Sequence, residues 1–275
     1  MSDAKQRESA VTLTATEDVR TVVREKYGAI AEGKSGGCCD QGTGCGCGCV
    51  TDELASIGYS AEQIAAIPEG ANLGLGCGNP LALADVQPGE TVLDLGSGAG
   101  IDCFLAAREV GPTGRVIGVD MTPAMIEKAR ANAAKAGVAN VEFRLGEIEH
   151  LPVAVASVDL VISNCVVNLS PAKDQVFRDA HRALKPGGRM LVSDLVLIRP
   201  LTPEMQRNVD LYVGCVAGAS QREEYLKLIR AAGFADVEVL SESGYDVGTS
   251  GLPEGSPERE AFAAVRSVKV RARKR

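Results

Sequence analysis

Tryptophan, a long apolar run and an excess of positive charge are all missing from these 275 residues. Histidine is nearly missing too. The only two, His150 and His181, stand in unremarkable contexts, so no histidine–carboxylate pair presents itself as a general base. No stretch approaches the roughly 18 apolar residues that a bilayer-spanning helix requires, which excludes a transmembrane role. The opening residues, MSDAKQRESA, have no apolar centre of the kind that a secretion signal carries, and a cytoplasmic location is expected. With a net charge of −7 the chain is a poor partner for nucleic acid, because phosphate binding rests on clustered Lys and Arg. The basic end, VKVRARKR, alternates Lys269, Arg271 and Arg273 with Val268, Val270 and Ala272. That pattern reads as an edge strand with a charged outer face.

Nine cysteines stand against these absences. A chain of this size needs no disulfide staples, and in a reducing compartment clustered cysteines more often bind soft metals or do chemistry. Five of them fall in the Gly-rich stretch GKSGGCCDQGTGCGCGC over 33–49, which cannot form a regular element and reads as a loop. A helix is expected from Thr16 onward with Val19, Val22 and Val23 on one side, and a short one after Ser60 as N-cap.

From Thr91 the pattern becomes strands alternating with helices. TVLDLG, RVIGVD, VEFRLG, VDLVISN and RMLVSDLVL read as parallel strands, and PAMIEKARANAAKAG and PAKDQVFRDAHRALKPGG as helices between them. Thr122-Pro123 and Ser170-Pro171 are helix starts, and Gly137 and Gly187 helix stops. VEVLSE and AVRSVKVRA follow as an antiparallel hairpin at the sheet edge. The expected fold is α/β and doubly wound, with a mostly parallel seven-stranded sheet. Its domains divide as an N-terminal helical and Gly/Cys-rich arm over 1–70, a cofactor domain over 71–200, and a smaller substrate-side region over 201–275.

One glycine cluster, Asp94-Leu95-Gly96-Ser97-Gly98-Ala99-Gly100, follows a strand and opens a helix. Glycines there let the backbone turn sharply and approach a ligand, while the helix start offers free N–H groups. The next strand ends at Asp120, about 20 residues on, where a carboxylate suits a ribose hydroxyl pair. The plain alternative is a tight βα turn and a surface carboxylate. Over about residues 90–195 the series DLGSGAG, GVD, GEIEHLP and SNCVVNLS resembles class I S-adenosylmethionine methyltransferases. The resemblance implies a cofactor surrounded by Asp94, Gly96, Ser97, Gly98, Gly100, Asp120, Met121, Glu147 and Ile148, with Asn164 below it.

Three cysteines stand apart from the loop: Cys77 in LGLGCGNP, Cys165 in SNCVVN and Cys215 in YVGCVAGA. Cys165 falls at the carboxyl end of a strand, where ligands of open α/β sheets bind. Taken singly, each is more often a small buried hydrophobe than a ligand, and Cys103 is assigned to the core. Together LGCGNP, DLGSGAGIDC, SNCVVNLSP and GCVAGA resemble arsenite S-adenosylmethionine methyltransferases over about residues 20–240. That resemblance implies arsenite, or its glutathione conjugate, as substrate, with trivalent arsenic held by thiolates of Cys77, Cys165 and Cys215. It implies further that Cys38 or Cys39 pairs with another cysteine as arsenic is re-reduced. An external thiol reductant such as glutathione or thioredoxin would then reset the pair. Tyr27, in REKYG, aligns with a family tyrosine near the cofactor, and a plain packing role explains it equally well. Cys45, Cys47 and Cys49 remain open to arsenic or copper capture, or to no role. Two other readings compete: a methyltransferase for a small organic acceptor such as a quinone or sterol-like carbon, and a thiol-rich metalloid-binding protein.

Overall fold

The computed structural model describes residues 16–34, 54–245 and 253–275. Cys38, Cys39, Cys45, Cys47 and Cys49, and with them nearly all of the expected Gly/Cys-rich loop, lie outside these residues.

Seven strands form one sheet in the order β3-β2-β1-β4-β5-β7-β6. They are β1 (Thr91–Leu95), β2 (Arg115–Asp120), β3 (Val141–Leu145), β4 (Val158–Asn164), β5 (Leu184–Leu197), β6 (Ala235–Gly244) and β7 (Val265–Arg273). The first five are parallel, and β7 lies antiparallel to both β5 and β6. Alternate residues of one strand face opposite sides of a sheet, so each side has its own core. Leu93, Leu95, Ile117, Val119 and Val161 pack with Phe177 and Tyr225 on one side. Val92, Val116, Leu160 and Ile162 pack with Phe104 and Phe143 on the other. Chain order reverses between β1 and β4, and the crevice above such a reversal is where ligands of this fold class sit.

Helices α1 (Thr16–Ala31) and α2 (Ala61–Ala66) come before the sheet. Val19 and Val23 of α1 are buried, and Ser60 caps α2 through a reciprocal bond with Gln63. Helix α3 (Ile101–Val110) leaves the glycine cluster, and α4 (Pro123–Ala136) runs from Thr122 to a left-handed Gly137. Helix α5 (Lys173–Ala183) precedes β5. After β5 come two single turns, α6 (Pro203–Arg207) and α7 (Val209–Val213), then α8 (Arg222–Ala231) and α9 (Pro257–Ala263).

Three local expectations are corrected. Ser170-Pro171 does not open α5; Ser170 Oγ accepts from the Ala172 N–H at 3.1 Å, forming a turn before the helix starts at Lys173. Gly187 does not close it either. The helix stops at Ala183, and the positive φ of Gly187 serves a bend at the base of β5, where its N–H donates to the Lys274 carbonyl. Nor is β7 an edge strand. It is paired on both sides, and its charged residues lie on one face of the sheet while Val268, Val270 and Ala272 line the core.

Candidate active site

A cavity opens above the β1–β4 reversal, walled by Gly96, Ser97, Gly98, Asp94, Asp102 and Asp120. The tight turn after β1 is held from behind. The Gly96 and Ser97 N–H groups both donate to the Val119 carbonyl, at 2.8 and 3.0 Å. Gly96 has φ +68°, and a Cβ there would meet Val166 Cγ2 at 2.4 Å, so only glycine fits. Asp120 is divided between two backbone donors: Gly98 N–H at 2.9 Å and Thr122 N–H at 2.8 Å. Burial pushes its carboxyl above the ordinary range, and these two bonds hold it back.

The cavity fits the cofactor that its motifs imply. Ser97 Oγ is buried in its wall without a hydrogen-bond partner among the described residues. Gly98 has no atom within 4 Å of a notional Cβ, so the loop backbone itself faces open space. Unpaired buried polar groups are costly, and a polar ligand relieves this one. Tyr27, Met121, Ile148 and Asn164 also line the cavity, as the resemblance implies. Tyr27 donates its hydroxyl to the Val213 carbonyl at 3.2 Å, tying α1 to the segment before Cys215. Gly100 and Glu147 do not line it. Gly100 starts α3 with φ +100°, and Glu147 is 37% exposed and paired with Arg24 at 3.7 Å. In the place of Glu147 stands Glu149, a neighbour that the sequence reading passed over. Its side chain is 4% exposed and accepts from Arg20 at 3.0 Å and Ser170 Oγ at 2.6 Å.

A second network missed in the sequence lies beneath. Asp102, in the first turn of α3, accepts from the Tyr59 hydroxyl at 2.7 Å and from Asn164 Nδ2 at 3.1 Å. Burial raises its carboxyl to about 6 despite these donors. Asp94 is pushed up well beyond the carboxylate range by burial and by the charge of Asp102, while the Cys103 thiol donates to it at 3.3 Å. Asn164 links this floor to the Cys77 loop. Its Oδ1 accepts from the Cys77 N–H at 3.3 Å, and its Nδ2 donates to the Gly78 carbonyl at 2.7 Å. Position in a helix's first turn was the available signal for Asp102; nothing local marked its partners.

Cys77, Cys165 and Cys215 come together in one buried cluster, 3%, 8% and 4% exposed, with Leu169, Leu195 and Val216 around them. Cys77 and Cys165 are joined as a disulfide across 88 residues, with Cα atoms 5.8 Å apart. Cys215 Sγ lies 2.7 Å from the Cys165 carbonyl. Cys165 and Cys215 both hold left-handed backbones, φ +57° and +63°. Such geometry costs on the order of 1–3 kcal/mol at a non-glycine residue and gathers at functional sites. Asp194 of β5 completes the cluster. One of its oxygens and the sulfurs of Cys77 and Cys165 all lie within 4.8 Å of one another. It accepts from Asn168 Nδ2 at 2.8 Å, Leu195 N–H at 2.9 Å and the Tyr225 hydroxyl at 3.0 Å, and burial raises it to about 7. The Cys215 thiol is pushed well above its ordinary value by burial and then by Asp194.

The methyltransferase-domain family matches residues 86–233. An arsenite methyltransferase of Halobacterium salinarum is 50% identical over 266 residues, covering 94% of this chain and 67% of that protein. The chain belongs to the arsenite methyltransferase family. Within it, the arsenite methyltransferase of Homo sapiens is 36% identical over 204 residues, which is 70% of this chain and 54% of the human protein. The crystal structure of the arsenic(III) S-adenosylmethionine methyltransferase of Chlamydomonas reinhardtii matches with a TM-score of 0.62. It is 35% identical, over 82% of this chain and 72% of that one. The chain thus spans two thirds of the length of the halobacterial arsenite methyltransferase and about half of the human one. The family model, these relatives and the Chlamydomonas structure support an S-adenosylmethionine-dependent methyltransferase. Among the described residues no helix is long and apolar enough to cross a membrane.

Proposed function

We propose that this chain transfers methyl groups from S-adenosylmethionine to trivalent arsenic held by Cys77, Cys165 and Cys215, giving methylated arsenicals, in the cytoplasm. What carries the reading is convergence: three cysteines from distant segments meet in one buried cluster, and two of them, Cys165 and Cys215, also line the glycine-loop cavity.

When bound, the cofactor supplies a methyl group on a positively charged sulfur. Around it Asp120, Gly98 and Ser97 offer polar contacts, and Met121 and Ile148 offer apolar walls. Trivalent arsenic is soft and takes thiolate ligands, as thiophilic ions do. Each cysteine thiol that binds arsenite displaces one hydroxide as water, its own proton leaving with it. The arsenic keeps a lone pair and is itself the nucleophile, so the chain supplies position, not a base. Holding two reactants in register contributes on the order of 7–11 kcal/mol to lowering a barrier.

A disulfide offers arsenic no thiolate, so Cys77–Cys165 must first be reduced by an external thiol such as glutathione or thioredoxin. Arsenite, or its glutathione conjugate, then enters. Cys38 or Cys39 takes part when arsenic is re-reduced between rounds; Cys38→Ser/Cys39→Ser together slow the later methylations more than the first.

Purified protein incubated with arsenite, glutathione and isotopically labelled cofactor tests the reading, with products separated by chromatography. Labelled methylarsenicals are expected. Arsenic bound tightly without turnover would make the chain a metalloid-binding protein, and labelled organic product would make it an organic methyltransferase.

A further inference from the structure

A second cavity, of about 320 Å³, reaches Cys77 and shares Tyr245 with the first. That falls in the range of small-molecule sites, roughly 300–1,000 Å³. Its floor is one face of the β6–β7 pair. Ser241 stands opposite Lys269 and Ser243 opposite Ser267 in the antiparallel register, so four polar side chains share a surface. Its roof is the Gly78 loop, and Cys77 stands in its wall. Ser267 Oγ donates to the Cys77 carbonyl at 3.0 Å, which fixes that wall to the floor. The loop can lie so low only because residue 78 is glycine; a Cβ there would come within 2.0 Å of Ser193 Oγ.

The two cavities divide the disulfide. Cys165 lines the first and Cys77 the second, so one bond joins both walls. Lys269 carries the charge of the second cavity. It is half-buried, its stem passing between Gly58 and Gly78, and no carboxylate pairs with it among the described residues. Burial alone pulls its ammonium below the usual lysine value, an imbalance that an anionic ligand would offset.

We propose that the second cavity is a docking site for a small anionic thiol, whose carboxylate pairs with Lys269 while its sulfur attacks Cys77. The inference rests on the reading that Cys77 and Cys165 must be thiols to hold arsenic. The incoming thiolate forms a bond to Cys77 Sγ as the Cys77–Cys165 bond breaks, and Cys165 leaves as thiolate into the arsenic site. A second thiol attacks the incoming sulfur of the mixed disulfide and releases Cys77. Two external thiols become one external disulfide, and their two protons end on Cys77 and Cys165.

Oxidised full-length protein, treated with 3-mercaptopropionate or with 2-mercaptoethanol, tests the site. The two thiols share an HS–CH2–CH2 arm that ends in a carboxylate in one and a neutral hydroxyl in the other. Opening of the Cys77–Cys165 pair is followed by alkylation and peptide mass spectrometry, which separates it from the cysteines at 38–49. At equal thiolate concentration the anionic thiol should react about tenfold faster, as one charge-assisted contact allows. Lys269→Gln should bring that ratio close to one, and Lys269→Arg should keep it. The ratio cancels any general loosening of the fold. A Lys269→Gln ratio equal to that of the unaltered protein overturns the proposal, as does oxidised protein in which Cys77 and Cys165 are unlinked. Unaltered protein, fully reduced beforehand, is assayed for arsenite methylation alongside. Failure there sinks the methylation reading, while the thiol ratio still reports on the cavity.

Discussion

Cys215 Sγ lies 2.7 Å from the main-chain carbonyl of Cys165, and both residues hold left-handed backbones. The contact spans 50 positions of sequence and joins the end of β4 to the turn after α7. The third sulfur is thereby held beside the disulfide pair. Serine at either position keeps the shape and removes the soft ligand. Cys165→Ser and Cys215→Ser should each lower arsenite methylation by roughly three orders of magnitude, since the nucleophile is no longer fixed. Cofactor binding, measured by calorimetry, should stay within about twofold. Activity retained in both variants would overturn the arsenic-site assignment.

Asp120 has two tasks, and its removal should show both. Its carboxylate orders the Gly98 and Thr122 N–H groups and faces the cavity. Asp120→Ala should weaken cofactor binding by about 1.5–3 kcal/mol, ten- to a hundredfold in Kd, because charge-assisted bonds of this type are worth that much. Equilibrium dialysis with labelled cofactor measures it. An unchanged Kd would leave Asp120 a loop anchor only.

Gly96→Ala asks for a Cβ 2.4 Å from Val166 Cγ2 at φ +68°. The overlap and the left-handed backbone together should cost about 2–4 kcal/mol in urea unfolding. Gly137→Ala, also at φ +67° but with nothing within 4 Å, should cost only the backbone part, about 1 kcal/mol. Equal losses would show that packing against Val166 is not what glycine serves here.

Asp194 makes stability fall as pH rises. Its carboxyl titrates at about 7 in the folded chain against an ordinary value near 3.8. Between those values the folded chain keeps a proton that the unfolded chain has lost, so unfolding free energy declines with rising pH. Asp194→Asn should flatten that decline by on the order of 3 kcal/mol between pH 5 and 8. A residual slope should remain from Asp102, raised to about 6, and from Asp94 and Asp120, whose carboxyls burial also raises. Urea midpoints at four pH values decide the matter, and parallel curves for the two proteins would refute it.

Local pattern carried most of the fold. The strands that follow one another in βα units, the Asp94–Gly100 turn and Asp120 are legible because their signals lie within one or two elements. The role of β7 was not. Alternating charge reports a solvated face, and a strand paired on both sides shows the same alternation when one face of its sheet is open. Gly187 misled for a similar reason, since a left-handed glycine serves a bend as well as a helix end. At the site, Cys77, Cys165 and Cys215 could be picked out by family pattern, yet Asp194 could not. A single aspartate inside RMLVSDLVL has no periodic signature, and its meaning comes from Asn168, Tyr225 and two sulfurs brought to it by folding. Lys269 likewise acquires its surroundings only when the Gly78 loop crosses the β6–β7 face.

The strand order has a consequence for how the molecule is made. Because β7 slots between β5 and β6, the ribosome delivers β6 before the neighbour that it must pair with exists. Until residues 265–273 emerge, β5 ends the nascent sheet with an open edge, of the kind that invites wrong pairing. Ser267 arrives on that same strand, so the anchor of the Cys77 carbonyl cannot form before β7 does.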